Sequence, residues 1–202
     1  MTPDPHSVPF LSLLLVFVSA AFTDNILLVR FLGLCPCLGV SKKVDASVGL
    51  GLAVTFVTAC TAVLNYWVYR YLLIPLDIVY LRLIVFIVVI AAFVQLVEMV
   101  VERLSERLYQ ALGIFLPLIT VNCAILGTAL FMIARPYNAT QAFVFGLGSG
   151  FGWLVAITLI GGIREKIDEK HVPPGLRGPG LTLIVIGIMS LAFVVFSGMI
   201  KL

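Results

Sequence analysis

The sequence predicts an all-α polytopic membrane protein of six transmembrane helices. They form two inverted three-helix repeats, with broken helices at spans 1 and 4. Three observations carry this. Of the 202 residues, 61% are hydrophobic and only 11% charged, where a soluble domain is roughly half apolar and a quarter charged. The mean hydropathy is +1.16, and six apolar runs are long enough to cross a bilayer. A cysteine motif in the first run returns in the fourth.

The expected spans lie near 10–34, 46–69, 78–101, 109–133, 142–163 and 181–200. Each is close to the roughly 20 residues that the hydrocarbon core requires. Pro3, Pro5 and Pro9 mark an irregular head before the first span. No Lys or Arg precedes Phe10, and Asp24, Asn25 and Arg30 follow the first apolar stretch, so this segment is not expected to be a cleaved signal. The first loop is Ser41, Lys42 and Lys43, the second runs over 70–77 with Pro75, and the third is the charged turn 102–107. The fourth is 135–138. The fifth, 164–180, carries Pro173, Pro174, Gly175, Gly178, Pro179 and Gly180, which cannot continue a helix.

The chain reads as a single membrane domain over 1–202, with repeat one at about 10–101 and repeat two at about 109–200. Residues 31–40, Phe-Leu-Gly-Leu-Cys-Pro-Cys-Leu-Gly-Val, share Cys-x-x-Leu-Gly with residues 118–127, Leu-Ile-Thr-Val-Asn-Cys-Ala-Ile-Leu-Gly. Gly49-Leu50-Gly51 opens the second span and Gly146-Leu147-Gly148 the fifth. Tandem units with an odd number of crossings run in opposite directions. In that plan functional sites sit near mid-membrane on interrupted helices. Loops one, three and five carry eight basic residues: Lys42, Lys43, Arg103, Arg107, Arg164, Lys166, Lys170 and Arg177. The other side carries four, Arg70, Arg82, Arg135 and Lys201. The positive-inside bias therefore places both termini outside the cytoplasm.

Several function classes are excluded. No Walker loop, Rossmann fingerprint or His-Glu-x-x-His is present, so the chain shows no means of binding a nucleotide itself. A net charge of +3 without a basic run gives no footprint for nucleic acid. The chemistry-bearing residues are the cysteines. Pro36 should break the helix beside Cys35, and Gly33, Gly39 and Gly127 allow close backbone approach. A broken helix at membrane depth must be covered by protein or line a cavity. Two thiols in that setting, Cys35 and Cys123, are the expected metal ligands. Soft thiolates select zinc, copper(I) or an iron–sulfur cluster. A cluster usually needs four thiolates. The remaining two come from Cys37 and Cys60 or from a second protein chain, and the residues leave both open. Cys60, mid-span between Ala59 and Thr61, reads as packing. A Cys35–Cys37 disulfide would strain so short a loop.

Intramembrane polar residues are few: Asp24, Asn25, Gln95, Glu98, Thr120 and Asn122. Asp24 is the candidate for ion coupling, since a carboxylate in a span needs a compensating role. Asn122 is a candidate second donor toward a metal group. Glu98, Glu102 and Glu106 read as a charged helix end, and the glycines of 146–152 as close helix packing.

Five stretches carry a family resemblance: 31–36, 39–43, 73–76, 112–124 and the tail 190–198 with Ser190-Leu191-Ala192-Phe193 and Phe196-Ser197-Gly198. Over nearly its whole length the chain resembles the A subunit of Rnf-type ion-translocating electron-transport complexes. The E subunit of the sodium-translocating NADH:quinone reductase is similar through 112–124, 162–166 and 172–178. Cys35-Pro36 and the segment 73–82 favour the Rnf type. The resemblance implies a multi-pass subunit of the bacterial inner membrane, both termini periplasmic. Its complex passes electrons between ferredoxin and NAD and couples this to movement of sodium or protons. It also implies that Cys35 and Cys123 ligate an intramembrane [2Fe–2S] cluster. The other two ligands would come from a homologous partner of inverted orientation, the Rnf E type. Cys37 stands where a bulky apolar residue is expected. The alternatives from the residues alone are a component of the sodium-translocating reductase, a secondary ion transporter built on inverted repeats, or a scaffold without cofactor.

Overall fold

The computed structural model describes residues 10–40, 44–104, 116–135, 137–167, 173 and 177–199. All regular structure among them is helical. In chain order the helices are α1 (Phe10–Val18), α2 (Leu34–Val40), α3 (Val44–Val68), α4 (Arg82–Leu104), α5 (Leu116–Thr120), α6 (Cys123–Ala134), α7 (Ala139–Lys166) and α8 (Pro179–Met199). Three stretches are long and apolar enough to cross a membrane: Val44–Leu73, Val79–Val100 and Ala139–Lys166. Shorter apolar helical stretches occupy Phe10–Thr23, Leu118–Ala134 and Pro179–Val195. These six fall where the six apolar runs of the sequence lie.

The first run is interrupted. α1 ends in a π-helical turn, Ser19–Thr23, where the Asp24 N–H reaches back five residues to the Ser19 carbonyl at 2.8 Å. Residues 24–33 are not helical. The chain then resumes as α2. At 1.5 Å per residue, Phe10–Thr23 and α2 together rise about 30 Å, close to the hydrocarbon thickness. The intervening ten residues therefore need add little depth. They fold back on themselves, with the Leu32 N–H on the Ile26 carbonyl at 3.0 Å. Pro36 is not the breaker that its ring suggests. It is the third residue of α2, where a missing N–H is harmless because no partner would exist. The break lies upstream of it.

The second interruption is brief. α5 ends at Thr120 and α6 begins at Cys123, leaving only Val121 and Asn122 between them. α7 starts under a capping box of Asn138 and Gln141. It runs to Lys166, past the expected end of the fifth span, and buries Arg164. The third turn is likewise partly helical, since α4 continues to Leu104. The first loop, 41–43, and residues 168–172 and 174–176 of the fifth lie outside the described residues.

α3 and α7 form the centre, and glycine makes their closeness possible. A Cβ on Gly150 would lie 2.6 Å from the Thr55 Cα, one on Gly146 2.8 Å from Ala62, and one on Gly51 2.9 Å from Leu154. Partner numbers fall on one helix as they rise on the other, so the pair is antiparallel. Gly148 packs on Phe17 and Ala20, and Gly152 on Ala21 and Asn25. Here both numbers rise together, so α1 is parallel to α7. The hydroxyls of Thr55, Thr58 and Thr61 return to carbonyls four residues back, which hides them within an apolar helix. α4 and α8 are peripheral. Ile84, Ile87, Val88 and Met99 on α4 and Leu183, Ile188, Leu191 and Val195 on α8 are exposed. Apolar faces of that extent suit acyl chains or protein rather than water.

Candidate cofactor site

The site is built from the two interruptions. Asn25 organises the first. It is 1% exposed, and its Oδ1 accepts from the N–H groups of Leu27 at 3.0 Å and Leu28 at 3.2 Å. Its Nδ2 donates to the carbonyls of Ala21 at 3.0 Å and Gly152 at 2.9 Å. Every hydrogen-bonding position of that amide is used. One residue thus stitches the end of α1, the loop and α7 together. Ser190 on α8 adds a bond to the Leu28 carbonyl at 2.7 Å.

The loop then turns through two left-handed residues, Phe31 at φ 56° and Gly33 at φ 81°. Only glycine fits the second position. A Cβ there would meet Trp153 Nε1 at 2.5 Å, Ala124 Cβ at 2.9 Å and Asn122 Oδ1 at 3.1 Å. The Gly33 carbonyl accepts from the buried Trp153 indole N–H at 3.3 Å. Its N–H donates to Cys123 Sγ at 2.9 Å. The cysteine that opens α6 is therefore docked on the loop that leads, two residues later, into Cys35.

Cys35 is exposed and Cys123 partly buried. Each stands at the start of the helix that follows its break. Cys37 is fully buried in the main apolar core with Leu27, Leu28 and Ile186 among its members. Two positions apart on a helix, Cys35 and Cys37 face opposite ways, so Cys37 does not share the Cys35 face. Cys60 lies on α3, half-buried. Among the described residues no three His, Cys, Asp or Glu side chains gather as a metal-holding group. The donor set fits half of a four-thiolate shell. A backbone N–H already sits on one of the two sulfurs, the environment in which protein thiolates hold iron–sulfur groups.

Asp24 is not a free carboxylate. Arg30 grips it with two nitrogens, Nε to Oδ1 at 2.8 Å and a terminal nitrogen to Oδ2 at 3.2 Å. Arg135, from the end of α6, reaches Oδ2 at 2.8 Å. Arg135 also donates to the Tyr137 hydroxyl at 3.1 Å. Burial pulls the Arg135 pKa down, but Tyr137 and Asp24 outweigh that and hold it above its ordinary value. The two guanidinium groups lie over the rings of Phe131 and Phe145. A carboxylate with two guanidinium partners leaves a net positive cluster, which repels a cation. Through these two ion pairs Asp24 ties the first break to the end of α6. Arg135, an outer-loop charge by its place in the sequence, is committed to this clamp.

Sequence reasoning marked Gly33 for close backbone approach, which the structure bears out, but missed Trp153 as its support and Arg135 as the partner of Asp24. Trp153 carries a polar N–H inside a glycine-rich span, which is a signal for a buried partner. Nothing in the sequence connects position 24 to position 135.

Fold and site together define a polytopic helical membrane protein whose two interrupted helices bring a pair of cysteine-bearing turns together. The chain belongs to the Rnf-Nqr family: the family model described as Rnf-Nqr subunit, membrane protein, matches residues 13–200. The chain is 48% identical over 189 residues to the A subunit of the Na(+)-translocating ferredoxin:NAD(+) oxidoreductase complex of Acetobacterium woodii, covering 94% of this chain and 98% of that one. It is 50% identical over 193 residues to the E subunit of the Na(+)-translocating NADH-quinone reductase of Psychromonas ingrahamii, covering 91% and 96%. The corresponding protein of Serratia proteamaculans is 50% identical over 189 residues, covering 91% and 96%.

Proposed function

We propose that this chain is a membrane subunit of an ion-translocating oxidoreductase complex of the Rnf type, and that its Cys35 and Cys123 hold half of an intramembrane [2Fe–2S] cluster. The observation that carries the reading is the Gly33 N–H on Cys123 Sγ at 2.9 Å, which joins the two cysteine-bearing breaks. When bound, such a cluster takes up and releases one electron at a time at mid-membrane depth. The residues of this chain supply the rest. Cys35 and Cys123 would bind it, Gly33 donates to one sulfur, and Trp153 holds Gly33 in place. Asn25 fixes the loop so that the two turns stay together.

Cys35 is exposed, as are Phe31 and Val121 on the two breaks, at 49% and 80%. Interrupted backbone does not face lipid at membrane depth, so these exposed residues favour a protein cover. A homologous partner of inverted orientation, the Rnf E type, offers the matching pair of thiols. Support for the inverted six-span plan comes from helix directions. α1 is parallel to α7 and α3 antiparallel to it, as spans 1, 5 and 2 must be if each half has three crossings. The outer loops hold four basic residues against eight on the other side, a bias in favour of periplasmic termini and a bacterial inner-membrane location. Alkaline phosphatase fused after Leu202 should be active; activity of a cytoplasm-only reporter there would reverse the orientation.

A second reading has a specific observation behind it. The identity to the E subunit of the sodium-translocating reductase is as high as that to the Rnf relative. The two readings share the cluster and differ in the redox partners, ferredoxin and NAD in one, NADH and quinone in the other. The decisive experiment is iron-to-protein stoichiometry and visible absorption of the purified complex, followed by assay with each pair. Two irons per copy of this chain with ferredoxin–NAD activity supports the proposal; quinone reduction by NADH moves the chain to the second reading. A colourless, iron-free complex that still moves an ion removes both.

A further inference from the structure

At the second break one buried group has no partner among the described residues. Asn122 is 4% exposed. Its Oδ1 is committed, accepting the Ala124 N–H at 3.0 Å as the cap of α6. Its Nδ2 lies below the surface with no hydrogen bond. A buried amide donor without a partner carries an uncompensated desolvation cost, so the Asn122 Nδ2 is available to a group from outside this chain. The neighbourhood identifies the chemistry. The next residue is Cys123, whose sulfur already takes the Gly33 N–H. On the other side, the Gly33 position is so close that a Cβ would touch Asn122 Oδ1 at 3.1 Å. Capping holds the amide's oxygen toward α6 and leaves its two N–H groups for whatever the adjoining thiolates bind.

We infer that Asn122 is a positioning residue for the cofactor held at Cys123: its amide N–H donates to the sulfur-rich anion there and raises that group's reduction potential. The inference rests on the proposed cluster. An added electron makes the cluster more negative and strengthens every N–H···S bond to it. A donor therefore stabilises the reduced form, and hydrogen bonds to sulfur are among the determinants of cluster potential. Asn25 makes the contrast. It has the same side chain at the other break, yet all its groups are taken by protein, so it has no donor to spare.

Cap and donor can be separated by substitution. Asn122→Asp keeps an oxygen for the Ala124 N–H and loses the amide donor. Asn122→Ser keeps a capping oxygen and has a hydroxyl hydrogen to donate. The assembled complex carrying each variant is assayed for iron and then titrated electrochemically with the EPR signal as readout. Asn122→Asp should retain iron and shift the one-electron equilibrium toward the oxidised form about tenfold, or about 59 mV lower. Asn122→Ser should recover part of that shift. An iron-loaded Asp variant with the wild-type potential would overturn the role of Asn122 while leaving the cluster intact. A wild-type complex without iron would overturn the cluster itself, and this inference with it. Should the Asp variant fail to hold iron, Asn122→Ala, lacking both cap and donor, is compared with Asn122→Ser. A lower potential in Ala supports the donor, and equal potentials overturn it.

Discussion

The two breaks solve one problem in different ways. Both interrupt an apolar helix, and both place an asparagine at the interruption and a cysteine where the helix resumes. The first takes ten residues, and its polar groups are met from within this chain. Asn25 makes four hydrogen bonds, and Asp24 has two arginines. The second takes two residues, and Asn122 caps α6 with one bond while its Nδ2 stays unpaired among the described residues. The glycines differ in the same sense. A Cβ on Gly127 would strike Leu32 at 2.5 Å, whereas one on Gly39 would meet nothing within 4 Å among the described residues. The first break is thus a scaffold and the second is docked on it. A long break can fold around its own asparagine; a short one must lean on what it touches.

The comparison is tested most severely at the cysteines. Cys35→Ser or Cys123→Ser should each abolish iron binding and electron transfer, because a shared shell tolerates no missing ligand. Full iron and activity in both variants would end the cofactor reading of the two breaks. Gly33→Ala comes next. It forces a Cβ against Trp153 and Ala124 at a left-handed φ, which costs about 1–3 kcal/mol for the backbone alone. It should lower the melting temperature of the complex in detergent and loosen iron retention. A variant as stable as wild type would show that the docking of the second break on the first is slack.

Asp24→Asn should have a smaller effect. It removes the charge from both ion pairs but keeps a side-chain oxygen that can still accept from Arg30 and Arg135, so the loss of stability should be smaller than at Gly33. Ions moved per electron in reconstituted vesicles should be unchanged. A stably assembled variant with a lowered ratio would return Asp24 to ion coupling. The smallest change is Cys60→Ser on the central helix. Removed from both breaks, it should alter iron content and activity by less than the error of either assay. Loss of iron there would mean that α3 contributes a ligand.

The sequence alone reveals the class of molecule. Sixty-one per cent hydrophobic residues in six runs cannot be buried in a chain of 202 unless lipid or another protein covers them, and α4 and α8 expose the apolar faces that follow from this. It also marks the two interrupted spans, because cysteine beside glycine recurs in otherwise uniform apolar stretches. It misplaces the cause at Pro36. Proline stops a helix only from the second turn onward. Where the first turn begins is decided by Asn25, Gly33 and Trp153, residues drawn from opposite halves of the chain. The fate of Asp24 was equally hidden. The sequence shows a carboxylate in a span but not its partners, and one of them, Arg135, comes from the other half of the chain. Composition and periodicity act locally and survive in the sequence. Which polar groups meet across the bundle depends on helix direction and glycine-limited approach, and those exist only once α1, α3 and α7 have packed.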